Sequence, residues 1–282
     1  MMRILITNDD GYYAQGIHEL VDILKPYGEI TVVAPKYHQS GMSMAVSMGF
    51  KPIAVKELGI IDGVRWFYLD GTPASCVKFG IDNILTDAKP DVVVSGINHG
   101  SNAAMATLYS GTIGAAMEGA INGVKAIGVS LDDLRPESDF SAVREYLPAI
   151  FEKLVKIDDS RHGRFYNINF PRRPASQIKG VRVAHLGFIH WEDEYQDYDP
   201  CAAEKFGYSR QKMGILSEPP LEEGERRYMM AGRIVEDPFN DAESDHRLCK
   251  EGYITISTQN IDNTDYAGNS QLVACGLESD FR

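Results

Sequence analysis

Cysteine is scarce in this sequence. Its four copies, Cys76, Cys201, Cys249 and Cys275, include no Cys-x-x-Cys pair. That excludes a zinc knuckle and a dithiol redox motif and leaves ordinary reduced thiols as the expectation. Basic residues are outnumbered as well: 28 Lys and Arg stand against 40 Asp and Glu, a formal net charge of −12 at pH 7. Such a surface repels a nucleic-acid backbone, whose binding needs Lys and Arg to neutralise phosphates, so no nucleic-acid partner is expected. A small phosphorylated ligand stays open, because one bound cation and a few backbone N–H groups reverse the potential locally. No apolar run approaches the roughly 20 residues needed to cross a bilayer, and no membrane partner is expected. Structured sequence begins at Arg3-Ile4-Leu5-Ile6, which leaves no space for a leader with charged, apolar and cleavage regions. A cytoplasmic location is therefore expected.

Several catalytic signatures are missing too. No Gly-x-Gly-x-x-Gly follows the first strand, which disfavours a dinucleotide dehydrogenase, and no P-loop motif occurs. There is no Gly-x-Ser-x-Gly elbow. The seven histidines, His18, His38, His99, His162, His185, His190 and His246, show no His-Glu-x-x-His spacing. Of these His99 draws attention, since it adjoins Asn98.

What is present reads as one large α/β unit. The 282 residues are 44% apolar and 24% charged, near the values for a globular protein. Strand and helix patterns alternate through the N-terminal half, which predicts a mostly parallel sheet with helices on both faces. Ile4-Leu5-Ile6 reads as a buried strand ending at Asn8-Asp9-Asp10-Gly11, and Ile17, Leu20, Val21 and Leu24 form the stripe of the next helix. Strands follow at 30–34, 66–69, 92–94 and 127–130. A small-residue helix is expected from Gly111 to Gly123, and an amphipathic one from about Ser141 to Lys156. We divide the chain into a catalytic core over 1–187, an extended hairpin excursion over 188–243, and a C-terminal helix, strand and tail over 244–282.

In open parallel sheets ligands bind beyond the carboxyl ends of the strands. Asp9 and Asp10 end the first strand, Ser40 lies in the loop after the second, and Asn98 ends the strand from Val92. Two carboxylates, an amide and a hydroxyl are an all-oxygen set that suits a hard cation such as Mg²⁺ or Mn²⁺. Each residue also has a plainer reading: Asn-Asp-Asp-Gly makes a good turn, and Asn98 a good cap. Tyr109-Ser110-Gly111-Thr112 opens the small-residue helix, either as a phosphate cradle of N–H groups and hydroxyls or as a serine N-cap on a tightly packed helix. Asn102 lies in the loop just upstream, on the same predicted edge. Trp191, Tyr195 and Tyr198 in the hairpin offer faces for stacking a base or for packing at a subunit interface.

Taken in order, these motifs resemble the SurE family of survival-protein nucleotidases. The resemblance rests on Ile4-Leu5-Ile6-Thr7-Asn8-Asp9-Asp10-Gly11, Val33-Ala34-Pro35 with Ser40, Gly71-Thr72-Pro73-Ala74, Ser95-Gly96-Ile97-Asn98, Asn102, and Tyr109-Ser110-Gly111-Thr112 through Glu118-Gly119. Weaker echoes are Asn167-Ile168-Asn169-Phe170-Pro171, and Ser244-Asp245 before Gly252–Thr258. The resemblance implies a Rossmann-like three-layer core with a C-terminal hairpin and tail, and a homodimer or homotetramer. It also implies one divalent ion per subunit on Asp9, Asp10, Ser40 and Asn98, and phosphate contacts from Asn98, Asn102, Ser110, Gly111 and Thr112. The implied substrates are nucleoside 5′- and 3′-monophosphates; our own expectation for the mechanism is that Asp9 or Asp10 orients or deprotonates the attacking water. A broader phosphatase acting on polyphosphate or sugar phosphates, and a nucleotide sensor without turnover, are the alternatives. Two positions depart from the family pattern: Ser75 where Asp is usual, with an effect expected on helix capping or substrate contacts, and Gln259 where Pro is usual, which bears on the path of the tail.

Overall fold

A strand whose neighbouring residues are all apolar has to be covered on both faces. Ile4 and Ile6 point into one hydrophobic cluster and Leu5 into another, so the first strand is sandwiched between two helical layers. The computed structural model describes residues 1–47, 52–135, 137–158, 163–205, 209–211, 213–214, 217–218 and 220–277. His162 and parts of the 192–225 stretch lie outside the described residues. In chain order β1 (Met2–Thr7) is followed by α1 (Gln15–Leu24), β2 (Gly28–Pro35), β3 (Val55–Ile61), β4 (Val64–Leu69), α2 (Pro73–Phe79) and β5 (Val92–His99). Next come α3 (Ala106–Tyr109), α4 (Gly111–Ile121), β6 (Lys125–Leu131), α5 (Ser141–Lys156), β7 (Arg164–Phe170) and β8 (Gly180–Val183). The excursion carries β9 (Ile189–Glu192), β10 (Tyr195–Asp197), α6 (Ala202–Lys205), β11 (Tyr228–Met230) and β12 (Arg233–Glu236). The chain ends with α7 (Asp245–Glu251), β13 (Tyr253–Asn260) and α8 (Tyr266–Ala274).

Nine strands form the central sheet in the order β3-β4-β2-β1-β5-β6-β7-β13-β8. The six strands from β4 to β7 in this order are mutually parallel, as the α/β pattern predicts. At one edge β3 folds back antiparallel on β4; at the other β13 runs antiparallel to β7 and carries β8 beside it. The C-terminal strand thus inserts into the main sheet. The excursion forms two small ribbons, β9 with β12 and β10 with β11. Among the described residues no helix is long and apolar enough to cross a membrane.

Chain order reverses at β1, with β2 on one side and β5 on the other. This is the switch point at which βα loops diverge and open a crevice. Helices α1 and α5 cover the face of Ile4 and Ile6, and α2 and α4 cover that of Leu5, Val33 and Val93. Helix α1 has no side-chain cap at its N-terminus. Packing holds it: Ile17, Leu20, Val21 and Leu24 are all buried, each contributing about 1.5–3 kcal/mol by area.

Both departures from the family pattern have places in the fold. Ser75 sits in the first turn of α2, its N–H bonded to the Thr72 N-cap hydroxyl (3.3 Å). The Ser75 hydroxyl accepts from Thr72 Oγ1 and from Ser47 N, both at 2.9 Å, so it supports the capping Thr72 side chain and ties the loop after β2 to it. Gln259 keeps β13 paired through to Asn260, and its side chain links Ser257 Oγ (3.0 Å) to Thr107 Oγ1 (3.2 Å). The strand therefore runs straight past this position. Helix α8 beyond it has no buried residue.

Gly16 is where α1 touches β5. A Cβ there would lie 2.1 Å from the carbonyl oxygen of Ile97, inside van der Waals contact with rigid backbone. Gly16→Ala should cost about 1–3 kcal/mol or more, read as a lowered urea midpoint, and should disturb the strand end that carries Asn98.

Candidate active site

The Asn8-Asp9-Asp10-Gly11 segment is both a turn and a site. Asn8 Nδ2 donates to Gly11 O (2.9 Å) and closes the turn, and Gly11 takes φ +100°, a left-handed conformation that favours glycine. The carboxylates are nonetheless buried, Asp9 at 2% and Asp10 at 4% exposure. Tyr12 N donates to Pro35 O (2.9 Å) and Gln39 N to Asp9 O (2.7 Å), so the loop after β2 is laid across the end of β1.

Helix α4 closes in from the other side. Thr112 Oγ1 donates to Asp9 Oδ1 at 2.6 Å. Gly111 lets the helix come this near, since a Cβ there would lie 2.9 Å from the Asp9 Cβ. Gly114 would clash with Ser43 O at 2.0 Å if it carried one, so the same helix also seats the 36–47 loop. Burial and the adjacent Asp10 push the Asp9 carboxyl up to about 6, against the downward pull of hydrogen bonds from Thr112.

Asp10 has different company. Its Oδ2 accepts the backbone N–H of His99 (3.0 Å). Its buried Oδ1 faces His38 Nδ1 at 3.2 Å, an ion-pair distance, and takes no further hydrogen bond among the described residues. Burial alone would lower the His38 pKa; the neighbouring Asp10 and Asp9 outweigh it and hold the imidazole above its ordinary value. Sequence spacing did not single out His38. Its signal is its place in the same loop, two residues before Ser40.

The other candidates divide. Asn98 is buried, and its Nδ2 donates to Gly100 O (2.8 Å), which leaves Oδ1 as the free acceptor end of the amide. Ser40 follows Gln39 at the strand end and is exposed. Ser110 caps α4, its Oγ accepting from Ile113 N (3.1 Å), which is the capping alternative realised at the mouth of the site. The Thr112 hydroxyl is committed to Asp9. Asn102 is buried in an amide network: Nδ2 donates to Ser130 Oγ (2.8 Å), its N–H to Asn169 Oδ1 (2.8 Å), and its carbonyl accepts from Asn167 Nδ2 (2.8 Å). His99 contributes its backbone, since its ring Nδ1 turns to Arg135 O (2.9 Å). A second residue that spacing missed is Asp245, 1% exposed, whose carboxylate takes the N–H groups of Ala104 and Gly187 (both 3.0 Å to Oδ1) and so pins the Asn102 loop to α7.

Among the described residues no group of three or more His, Cys, Asp and Glu is arranged to hold a metal ion. The candidate set has only two carboxylates; the rest is amide and hydroxyl oxygen, chemistry that suits a hard cation. Asp10 Oδ1, which meets only the His38 ring among the described residues, keeps acceptor capacity that such an ion would use, and in that respect the residues fit one.

A family model described as survival protein SurE matches residues 4–193, a span that holds all the candidate metal and phosphate residues. The chain belongs to the SurE family. A protein named 5′-nucleotidase SurE from Cytophaga hutchinsonii is 33% identical over 270 residues, covering 95% of both chains. One of the same name from Christiangramia forsetii is 34% identical and covers 93% of this chain and 92% of its own. Another, from Caldanaerobacter subterraneus, is 35% identical over 95% of each. The crystal structure of SurE protein from Aquifex aeolicus superposes with a TM-score of 0.74 at 28% identity, over 97% of this chain and 99% of that one. That match spans nearly the whole chain, beyond the residues of the family model.

The raised Asp9 pKa has a stability consequence in metal-free protein. Protonation of Asp9 contributes stability that is whole below the ordinary carboxylate range and is lost as pH rises through about 6. Thermal melts in chelator should show Tm falling between about pH 4 and pH 6, and Asp9→Asn, which mimics the protonated state, should flatten that fall.

Proposed function

We propose that this SurE-family chain is a divalent-metal-dependent phosphatase that hydrolyses nucleoside 5′-monophosphates, and 3′-monophosphates with them, to nucleoside and phosphate. One observation carries the reading: adjacent buried carboxylates stand at the switch point, one with an oxygen that meets only the His38 ring among the described residues, against the N-terminus of a helix. The names of the SurE relatives support the same activity.

Asp9, Asp10, Ser40 and Asn98 are the residues that would hold one Mg²⁺ or Mn²⁺ per subunit. When bound, the ion supplies Lewis-acid stabilisation of charge on the phosphoryl oxygens, worth several kcal/mol against the roughly 0.3–2 of a helix terminus. Thr112 keeps Asp9 oriented and favours its ionised form. The first turn of α4, with Ser110, Gly111 and Thr112, faces its positive end toward Asp9 and favours an anion there. Asn98 and Asn102 line the neighbouring loop, where Asn102 fixes backbone through its three hydrogen bonds. His38 and Asp10 form the polar wall from which water would be oriented for in-line attack. The exposed α8 and the excursion ribbons are the surfaces on which a homodimer or homotetramer would assemble, and a cytoplasmic setting fits an enzyme of small phosphate esters.

Asp10→Asn should lower phosphate release from nucleoside monophosphates at least about a hundredfold with Mg²⁺ or Mn²⁺ present. Chelator should abolish wild-type release, and add-back of either ion should restore it. Unchanged activity in Asp10→Asn would refute the assignment; tight nucleotide binding with no release under any ion would favour the sensor. Thr112→Val removes the donor that favours ionised Asp9, so metal affinity should fall about tenfold, measured by titration with Mn²⁺.

A further inference from the structure

Tyr109 stands one residue before the Ser110 cap of α4, and its ring is 59% exposed. Its backbone is fixed by the 36–47 loop: Ser43 N donates to Tyr109 O (2.9 Å), and Ser43 Oγ to the adjacent Leu108 O (2.7 Å). Trp191, on β9 and paired with Ile234 of β12, meets that ring with centroids 5.5 Å apart and planes at 86°. An edge-to-face pair makes a corner of two perpendicular rings and leaves aromatic surface open on both. Of the other two hairpin aromatics singled out in the sequence, Tyr198 donates to Glu218 Oε1 (3.0 Å), and Tyr195 is 71% exposed.

We propose that Trp191 and Tyr109 form the platform on which the base of a nucleoside monophosphate stacks while its phosphate lies against Asp9, Asp10 and the first turn of α4. The inference rests on the phosphatase reading for the position of the phosphate. It adds recognition of the part of the substrate that carboxylates and a helix terminus do not touch. The placement decides it: the exposed ring and the cap of the cradle are consecutive residues, so a molecule with phosphate at one end and a flat apolar ring at the other spans the two. Every base has a π-face, and the corner therefore selects nucleotides over sugar phosphates and polyphosphate without choosing strongly among bases.

The chain has two tryptophans, and Trp66 is 2% exposed in the core, so ligand-induced changes in emission report on Trp191. Adenosine and guanosine, which carry no phosphate, should quench that emission, and Trp191→Phe should remove the tryptophan signal. In turnover with the loaded enzyme, Trp191→Ala should lower the ratio of kcat/KM for adenosine 5′-monophosphate over that for ribose 5-phosphate about tenfold or more, chiefly through KM, and Trp191→Phe should restore most of it. Absence of quenching by nucleosides overturns the platform. So does an unchanged ratio in Trp191→Ala, including the case in which both substrates lose equally and light scattering shows the assembly coming apart. Quenching by nucleosides with no phosphate release from any ester leaves the platform standing and overturns the phosphatase reading instead.

Discussion

Two neighbouring carboxylates buried at one strand end set the terms for everything around them. Neighbouring like charges repel at the effective dielectric of a protein site, and taking each out of water costs more. The surrounding elements answer that cost one oxygen at a time. Thr112 meets Asp9 from the helix side, the His99 N–H meets Asp10 from β5, and His38 comes over from the loop after β2. One oxygen of Asp10 has only the His38 ring to meet it, and burial together with the neighbouring Asp10 shows in the raised Asp9 pKa. The divalent cation proposed above would ease both at once.

Close approach is what allows so many elements to converge there. Gly111 and Gly114 bring α4 against Asp9 and against the Ser43 backbone, and Gly16 brings α1 against Ile97. Gly128 makes room on β6 for Ile113 of α4, where a Cβ would lie 2.5 Å from the Ile113 Cδ1. Small residues here act as spacers of zero thickness: each lets backbone rather than side chain define the wall of the crevice. The Asn102-Asn167-Asn169 amides and Asp245 then lock the far side of the crevice to β7 and α7.

Much of this was legible in the sequence where the signal is local. The Ile4–Ile6 run, the stripe from Ile17 to Leu24 and the Ser110 cap each depend on neighbours within a few residues, and the structure places them as the spacing predicts. The motif order along the chain also identified the family. His38 was not legible, because nothing in a loop without periodicity marks which side chain turns inward. The strand β3 was missed for a related reason: at an exposed sheet edge, with a bulge between Glu57 and Gly59, it carries no alternation of buried and exposed apolar residues. The partnership of Tyr109 with Trp191 joins residues far apart in the chain, and only tertiary structure reveals it.

The insertion of β13 between β7 and β8 also bears on how the chain is made. As the polypeptide emerges, β7 completes the parallel sheet with one side bare, and the strand that pairs with it follows only after the whole β9–β12 excursion. Until then the bare edge is a template for pairing with another molecule. Nascent or truncated chains lacking β13 therefore carry an open seam, and closing it commits the C-terminal segment to the same cooperative unit as the crevice it lies behind.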